Sequence, residues 1–384
     1  MRIGIDAREL FGNPTGAGRY LSELCTQWAN NGHALDCQFI LYSPPDILGS
    51  NQSSELKYLL QTSIFEHRVV PGNYDTWWEQ FHLPSIANKD RLAVFFAPAY
   101  SIPIAIQGPV VLTIHDMSFA AHPEWFGWRE GLRRRWLAQR SAKRATLVIT
   151  DSEFSRQEIM YYLDLPINRV QVIKPGVRLH HHSKLSIKGS LPSNTMSSIS
   201  DHGPLILFVG SVFNRRHLPD LINAFALVTR VMPKARLAIV GENRSYPKQN
   251  LYTLATAANV SDRVHILSYV TEQELSKFYK LAHVFVFLSE YEGFGFTPLE
   301  AMAAGIPAIV TDTPVARELY GDVATFVPLG NLEKISAAIL NILRDGQSRK
   351  STQERAPNLL NRYSWQRAAK ETLGALKSAA LSRS

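Results

Sequence analysis

The sequence predicts an α/β protein of two Rossmann-like domains, each a parallel sheet clothed by helices, and three observations carry that expectation. The 384-residue chain is too long for one ordinary core and fits two domains of average size. Short apolar runs alternate with helix-length amphipathic segments, the pattern of βαβ units. That alternation stops after Val177 and restarts at Pro204.

In chain order, "RIGIDA" reads as the first strand, "GRYLSELCTQWANNG" as a helix and "LDCQFILYS" as the next strand. "AVFFAP", "PVVLTIHD" and "ATLVITDS" complete the strands of a first domain over residues 1–177. Residues 178–203, rich in Ser, His and Gly without a sustained period, read as a linker. The second domain, over 204–365, runs strand "LILFVGS", helix "LPDLINAFALVTRVMP", strand "ARLAIVG", helix near "QNLYTLATAAN", strand "VHILSY", helix "TEQELSKFYKLA" and strand "VFVFLS". A loop with its own helix and the strand "PAIVT" follow. The tail, 366–384, is helical in composition and period and is free to pack back on either domain. Two such domains would leave a cleft at the carboxyl ends of their strands, where open parallel sheets bind ligands.

Composition excludes several classes. With 45% hydrophobic and 19% charged residues the chain is globular rather than disordered. No apolar run reaches the ~20 residues of a membrane helix. The opening "MRIGIDAREL" lacks the apolar core of a signal peptide. Two cysteines, Cys25 and Cys37, are too few for a disulfide framework and lack the spacing of a zinc site, so a reducing, cytoplasmic compartment is expected. The net charge of +8 suggests an anionic partner. Seven Lys and Arg against one acid, Glu130, fall between Arg129 and Arg144, interleaved with Trp125, Trp128, Leu132 and Trp136 at helical spacing. Such a stripe is first of all a core face; the alternative is a face that touches anionic lipid at the inner side of a membrane. No binding module for nucleic acid accompanies the charge.

The chemistry concentrates in "SEYEGFGFTPLEAMAAGIP", Ser289 to Pro307, which leaves an apolar strand at its carboxyl end. Thr297 reads as an N-cap with Pro298 in the first turn, and Gly305 as the residue past the helix end. Glu300 then has two readings. It is either the third residue of a capping box or a carboxylate for neighbouring hydroxyls of a ribose. Gly293 and Gly295 serve either a tight turn or a phosphate brought close to bare amides at a helix start.

These residues resemble the Glu-x7-Glu signature of retaining glycosyltransferases of the GT-B fold, in particular family four with its bacterial mannosyltransferases. The resemblance extends over nearly the whole chain: "GIDARELFGNPTGAGRYLSEL", "TIHDMSF", "VITDSEFSRQEI" and "LFVGSVFNRRHLPDLINAF" are each similar to family segments, in order. It implies that Glu300 holds the ribose of a nucleotide-diphosphate sugar and that Glu292 contacts the donor sugar near the reacting centre. Backbone at Gly293, Phe294, Gly295, Phe296 and Thr297 would line sugar and diphosphate, with Gly16 and Gly18 in a second glycine loop. Arg215 and Arg216 would hold the diphosphate, although the family's usual Arg-Lys is Arg216-His217 here. Surface arginines are the competing reading. His115, at a strand end before Asp116, would approach the donor sugar, against a plain structural histidine.

The first domain would take the acceptor, a glycan or a saccharide on a polyprenyl diphosphate. No cofactor or metal is implied, and no Asp-x-Asp is present. The donor expected from "TGAGRY", "WWEQFHLP" and "TIHDMSF" is GDP-mannose or a relative. A sugar-nucleotide epimerase of the same fold and a binder that transfers nothing are the competing functions.

Overall fold

The computed structural model describes residues 1–11, 16–45, 54–73, 75–178, 203–268 and 270–382. The expected linker lies outside the described residues except at its two ends, and so does the loop immediately before Gly16. The chain divides into two compact units, Met1–Pro123 with Trp128–Gly176 and Tyr363–Ser384, and Glu124–Gly127 with Val177–Arg362.

The first unit is built on seven parallel strands: β1 (Arg2–Asp6), β2 (Gln38–Ser43), β3 (Phe65–Val69), β4 (Val94–Ala97), β5 (Val110–Thr113), β6 (Leu147–Thr150) and β7 (Val170–Val172). Their order is β3-β2-β1-β4-β5-β6-β7, so the direction of winding reverses between β1 and β4. The strands are apolar on both faces because helices cover both. On one face Tyr20, Leu21, Leu24 and Trp28 of helix Gly16–Asn30 pack with Ile3, Ile5, Phe39 and Phe96. The Trp28 indole stacks on Phe39 at 4.8 Å and donates from Nε1 to the Ala369 carbonyl at 2.9 Å.

That last bond places the tail. Helix Trp365–Leu381 buries Ala368, Leu373 and Leu376 in the core of the first unit, each leucine worth roughly 1.5–3 kcal/mol of transfer free energy. A Cβ on Gly176 would meet the Trp365 backbone nitrogen at 2.2 Å, so glycine is what lets the returning helix approach. Strand β3, "FEHRV", escapes sequence reading because it is an edge strand with only Phe65 buried.

The second unit holds six parallel strands, β8 (Leu205–Val209), β9 (Arg236–Val240), β10 (Val264–Leu267), β11 (Ala282–Phe287), β12 (Ala308–Thr311) and β13 (Thr325–Val327), in the order β10-β9-β8-β11-β12-β13. Winding reverses between β8 and β11. Adjacent strands that leave the sheet towards opposite sides open a crevice at their carboxyl ends. The loops after β8 and β11 are therefore neighbours in space.

Candidate donor site and the histidine of the first unit

After β8 the chain passes Gly210 and Ser211 into a single 3-10 turn, Asn214–Arg216, closed by His217 in the left-handed region at φ 47°. After β11 it runs through Ser289 to Glu292. A backbone bond from Glu290 N to Arg215 O at 3.0 Å locks the two loops together. Across that joint Arg216 Nε donates to Glu292 Oε1 at 2.8 Å, and its Nη1 donates to the Ser211 carbonyl at 2.8 Å. Arg215 Nη2 lies 3.8 Å from Glu292 Oε2, and Ser289 Oγ donates to Glu292 Oε1 at 3.0 Å.

The three charged side chains are 12–13% exposed. Aromatic faces hold the guanidinium groups. Arg216 lies 5.0 Å from the Phe287 ring centre, and Arg215 lies between Phe213 at 4.8 Å and Trp125 at 6.0 Å. Two permanently charged guanidiniums against one carboxylate leave a net positive site. The arginines are thus built into a site and are not solvated surface groups.

Gly210, Ser211 and Ser289 escaped sequence reading as site residues, and Trp125 enters it only as part of the tryptophan stripe. Gly210 has φ +143°, and a Cβ there would meet Arg216 Nη1 at 2.6 Å. The signal was present in "FVGS", a glycine directly after a buried strand. His217 takes the place beside Arg216; its Nδ1 is 3.3 Å from Asp220 Oδ2. Its Nε2 is 3.1 Å from Glu290 Oε1 but outside hydrogen-bond alignment, so that contact is ionic at most.

The helix of the glycine loop differs from expectation at its start. It spans Phe296–Ala303, its N-cap is Gly295 at φ 74°, and Thr297 already lies inside it. Gly295 takes the left-handed conformation that threonine avoids, which moves the helix start two residues back. Glu300 is then two residues too deep for a capping box. It is 1% exposed, and its Oε2 accepts from Tyr279 Oη at 3.1 Å. The capping box that does form uses the same Thr-x-x-Glu pattern at Thr271 and Glu274.

Gly305 closes the helix as expected, at φ +71°, with bonds from Gly305 N to Met302 O and from Ile306 N to Ala301 O, both 2.9 Å. Gly293 and Phe294 are buried, and the Phe294 ring packs on Phe296 at 4.9 Å. Gly295 receives a bond from Tyr320 Oη to its carbonyl at 3.1 Å.

In the first unit His115 follows β5, Asp151 follows β6 and Pro98 follows β4, so three adjacent strand ends converge. His115 Nδ1 is 2.7 Å from Asp151 Oδ2 and Nε2 is 3.0 Å from the Pro98 carbonyl. Both partners are acceptors, so both ring nitrogens donate and the ring is imidazolium. Burial opposes that charge, but Asp151, Asp116 and the Pro98 carbonyl outweigh it and hold the His115 pKa above its ordinary value. Tyr20 and Tyr100 pack edge-on at 5.1 and 5.7 Å. In this state His115 cannot accept a proton. Ser155 Oγ bonds the His115 carbonyl at 3.1 Å, which ties "VITDSEFS" to "TIHD". Gly16 begins helix Gly16–Asn30 as an exposed residue, and Gly18 lies buried in its first turn.

The tryptophan stripe is not core. Trp128, Leu132 and Trp136 face solvent on helix Trp128–Arg144, and Trp125 precedes that helix and packs on Tyr291 at 6.1 Å. Cys25 and Cys37 are buried as free thiols. Among the described residues no group of three or more His, Cys, Asp or Glu is placed to hold a metal ion.

Two family models match, one on each half of the chain. The model described as Glycosyltransferase Family 4 covers residues 14–181, and that described as Glycosyl transferases group 1 covers residues 196–359. The chain is 26% identical over 284 residues to O-antigen chain mannosyltransferase B of Escherichia coli, 74% of each chain. It is 26% identical over 231 residues to O-antigen chain mannosyltransferase RfbU of Salmonella typhimurium, 60% of each. Its fold is similar to that of HepE of Anabaena, solved in complex with UDP and glucose, at a TM-score of 0.72 and 18% identity, over 98% of this chain and 100% of that one.

Proposed function

Because this chain is a GT-B glycosyltransferase, with a family 4 domain ahead of a group 1 domain, we propose that it moves mannose from GDP-mannose to a glycan or lipid-linked saccharide, with retention of configuration. The observation that carries the reading is the Arg215–Arg216–Glu292 cluster at the switch point between β8 and β11. Two guanidiniums fixed in a crevice suit a diphosphate, and fixed donors aimed at developing charge accelerate its departure. The two O-antigen mannosyltransferases support the choice of sugar.

The transfer balances without a further reactant. The bond from the sugar C1 to the diphosphate oxygen breaks, the acceptor oxygen bonds C1 from the same face, and the acceptor proton passes to the departing phosphate oxygen. Arg215 and Arg216 stabilise the nucleoside diphosphate, so no metal ion is called upon. Glu292 orients the sugar hydroxyls and Glu300, held by Tyr279, receives the ribose. His115, with both ring nitrogens held by Asp151 and the Pro98 carbonyl, would act on the sugar through its positive charge rather than as a base. The first unit receives the acceptor, and a polyprenyl-diphosphate carrier would bring the protein to the inner face of a membrane.

The test follows nucleoside diphosphate release from a panel of GDP- and UDP-sugars, with and without saccharide acceptors. Acceptor-dependent release with GDP-mannose is the expected result. A changed sugar nucleotide without acceptor would make the protein an epimerase, and binding without release would make it a binder; either result overturns the proposal.

A further inference from the structure

We infer that the first unit carries a docking surface for an anionic lipid bilayer, formed by the outer face of helix Trp128–Arg144 together with the exposed pair Trp77 and Phe81. Among the described residues the exposed tryptophans and phenylalanine, Trp77, Phe81, Trp128 and Trp136, all lie on these two segments. They are 55–72% exposed, and Leu132 beside them is 56% exposed.

The helix is inverted relative to an ordinary surface helix. At about 100° per residue Trp128, Leu132 and Trp136 span roughly 80° of arc. Buried Leu137, Ala138 and Ser141 occupy the opposite side. The core is therefore already served by Leu137 and small residues, and Trp128, Leu132 and Trp136 point outward. Arg129 and Arg140 flank the same outer arc, and Lys143 falls within it. The Arg129 guanidinium lies 5.0 Å from the Trp128 ring centre and that of Arg140 5.2 Å from Trp136.

One hydrogen bond joins the second segment to the helix: Arg133 Nη1 donates to Thr76 Oγ1 at 2.7 Å. Within that segment the Trp77 and Phe81 rings meet at 4.1 Å. Neighbouring Trp78 does the opposite of Trp77: it is fully buried and donates to the Val70 carbonyl at 3.0 Å. Trp78 anchors the turn that holds Trp77 out.

The chemistry selects the partner. Indole rings with a guanidinium stacked on them fit the headgroup level of a bilayer, where the ring enters the acyl boundary and the cation meets lipid phosphate. The one acid of the helix, Glu130, is taken by Arg133 at 2.8 Å and Arg134 at 2.6 Å, which leaves the outer arc cationic. A second copy of the chain would bring like charges face to face. No helix among the described residues is long and apolar enough to cross a membrane, so the surface lies on the bilayer. This inference is independent of the donor sugar.

The test is sedimentation of the full chain with vesicles of about one part phosphatidylglycerol to three parts phosphatidylcholine, against phosphatidylcholine alone, at low and physiological salt. Binding is expected only to the anionic vesicles and is expected to weaken with salt. Trp128→Ser with Trp136→Ser should weaken it at least tenfold, as should Arg129→Glu with Arg140→Glu. Tyr161→Ser, an exposed site on helix Glu153–Leu163 of the same unit, should leave it unchanged. Brominated acyl chains should quench wild-type tryptophan fluorescence, a readout that needs no variant. Absence of both sedimentation and quenching overturns the inference. So does a wild-type dimer in light scattering that Trp128→Ser with Trp136→Ser dissolves, since the face would then join two copies.

Discussion

Gly295→Ala places a methyl group at the N-cap of helix Phe296–Ala303, in the loop after β11. Gly295 sits at φ +74°, and its Cβ would lie 2.3 Å from Tyr320 Oη and 3.6 Å from Tyr320 Cζ. The left-handed backbone costs a residue with a Cβ roughly 1–2 kcal/mol. Relieving the clash costs about 1–3 kcal/mol more, because the tyrosine must move by close to an ångström in packed surroundings. A loss of roughly 3 kcal/mol follows, or a fall in Tm of about 6–12 °C for a unit of this size.

Tyr320→Phe supplies the check. It removes the oxygen that the methyl meets and leaves Cζ at an ordinary contact distance. Alone it loses the bond to the Gly295 carbonyl, about 1 kcal/mol. The double variant should therefore be less destabilised than the sum of the two singles by about 2 kcal/mol. Calorimetry of the four proteins measures this. Additive losses, or a Gly295→Ala protein that melts with the wild type, would refute the steric argument.

His115 has a folded pKa raised above 6.5, so its stabilising contribution is complete below that value and is lost as pH rises through the folded pKa. Urea midpoints should fall with pH in that window, and Asp151→Asn should flatten the dependence. Tyr279→Phe should raise KM for the nucleotide sugar several-fold with little change in kcat, read from initial rates, because it removes one hydrogen bond that positions the Glu300 carboxylate without touching the reacting centre. Deleting residues 365–384 should cost the first unit several kcal/mol by exposing the cores of Leu373 and Leu376, and the truncated chain should be recovered aggregated, seen by size-exclusion chromatography.

The strands were legible because buried parallel strands are continuous apolar runs, and "ILFV" or "VFVF" carries that in composition alone. β3 was not, since an edge strand buries one residue in five and reads as loop. The Thr297 cap failed for a different reason. "GFGFTPLE" offers both a threonine and a glycine as helix starts, and the left-handed backbone at Gly295 together with Tyr320, 25 residues away, favours the glycine. The outward Trp128 face illustrates the limit of periodicity: a 3.6-residue stripe shows that one helix face is apolar, not that it faces inward. Which side packs is decided by Gly131, Ala138, Ser141 and Ala142, small residues that a hydropathy pattern underweights, together with Leu137.

The Arg216–Glu292 pair was invisible at a separation of 76 residues, although each member was singled out. Its existence has a consequence for binding. Glu292 occupies Arg216 at 2.8 Å and approaches Arg215, so it stands against the guanidiniums where a diphosphate would bind. An incoming diphosphate must share or displace that carboxylate, and Glu292 is free to turn to sugar hydroxyls only once phosphate has replaced it. Glu292→Gln keeps the shape and removes the competing charge. It should therefore bind nucleoside diphosphate more tightly, by about fivefold to tenfold or roughly 1–1.4 kcal/mol, while lowering turnover of the nucleotide sugar. Isothermal titration with GDP and UDP, paired with initial rates, separates the two effects. Weaker diphosphate binding in Glu292→Gln would mean that the carboxylate organises the arginines for the ligand rather than competing with it.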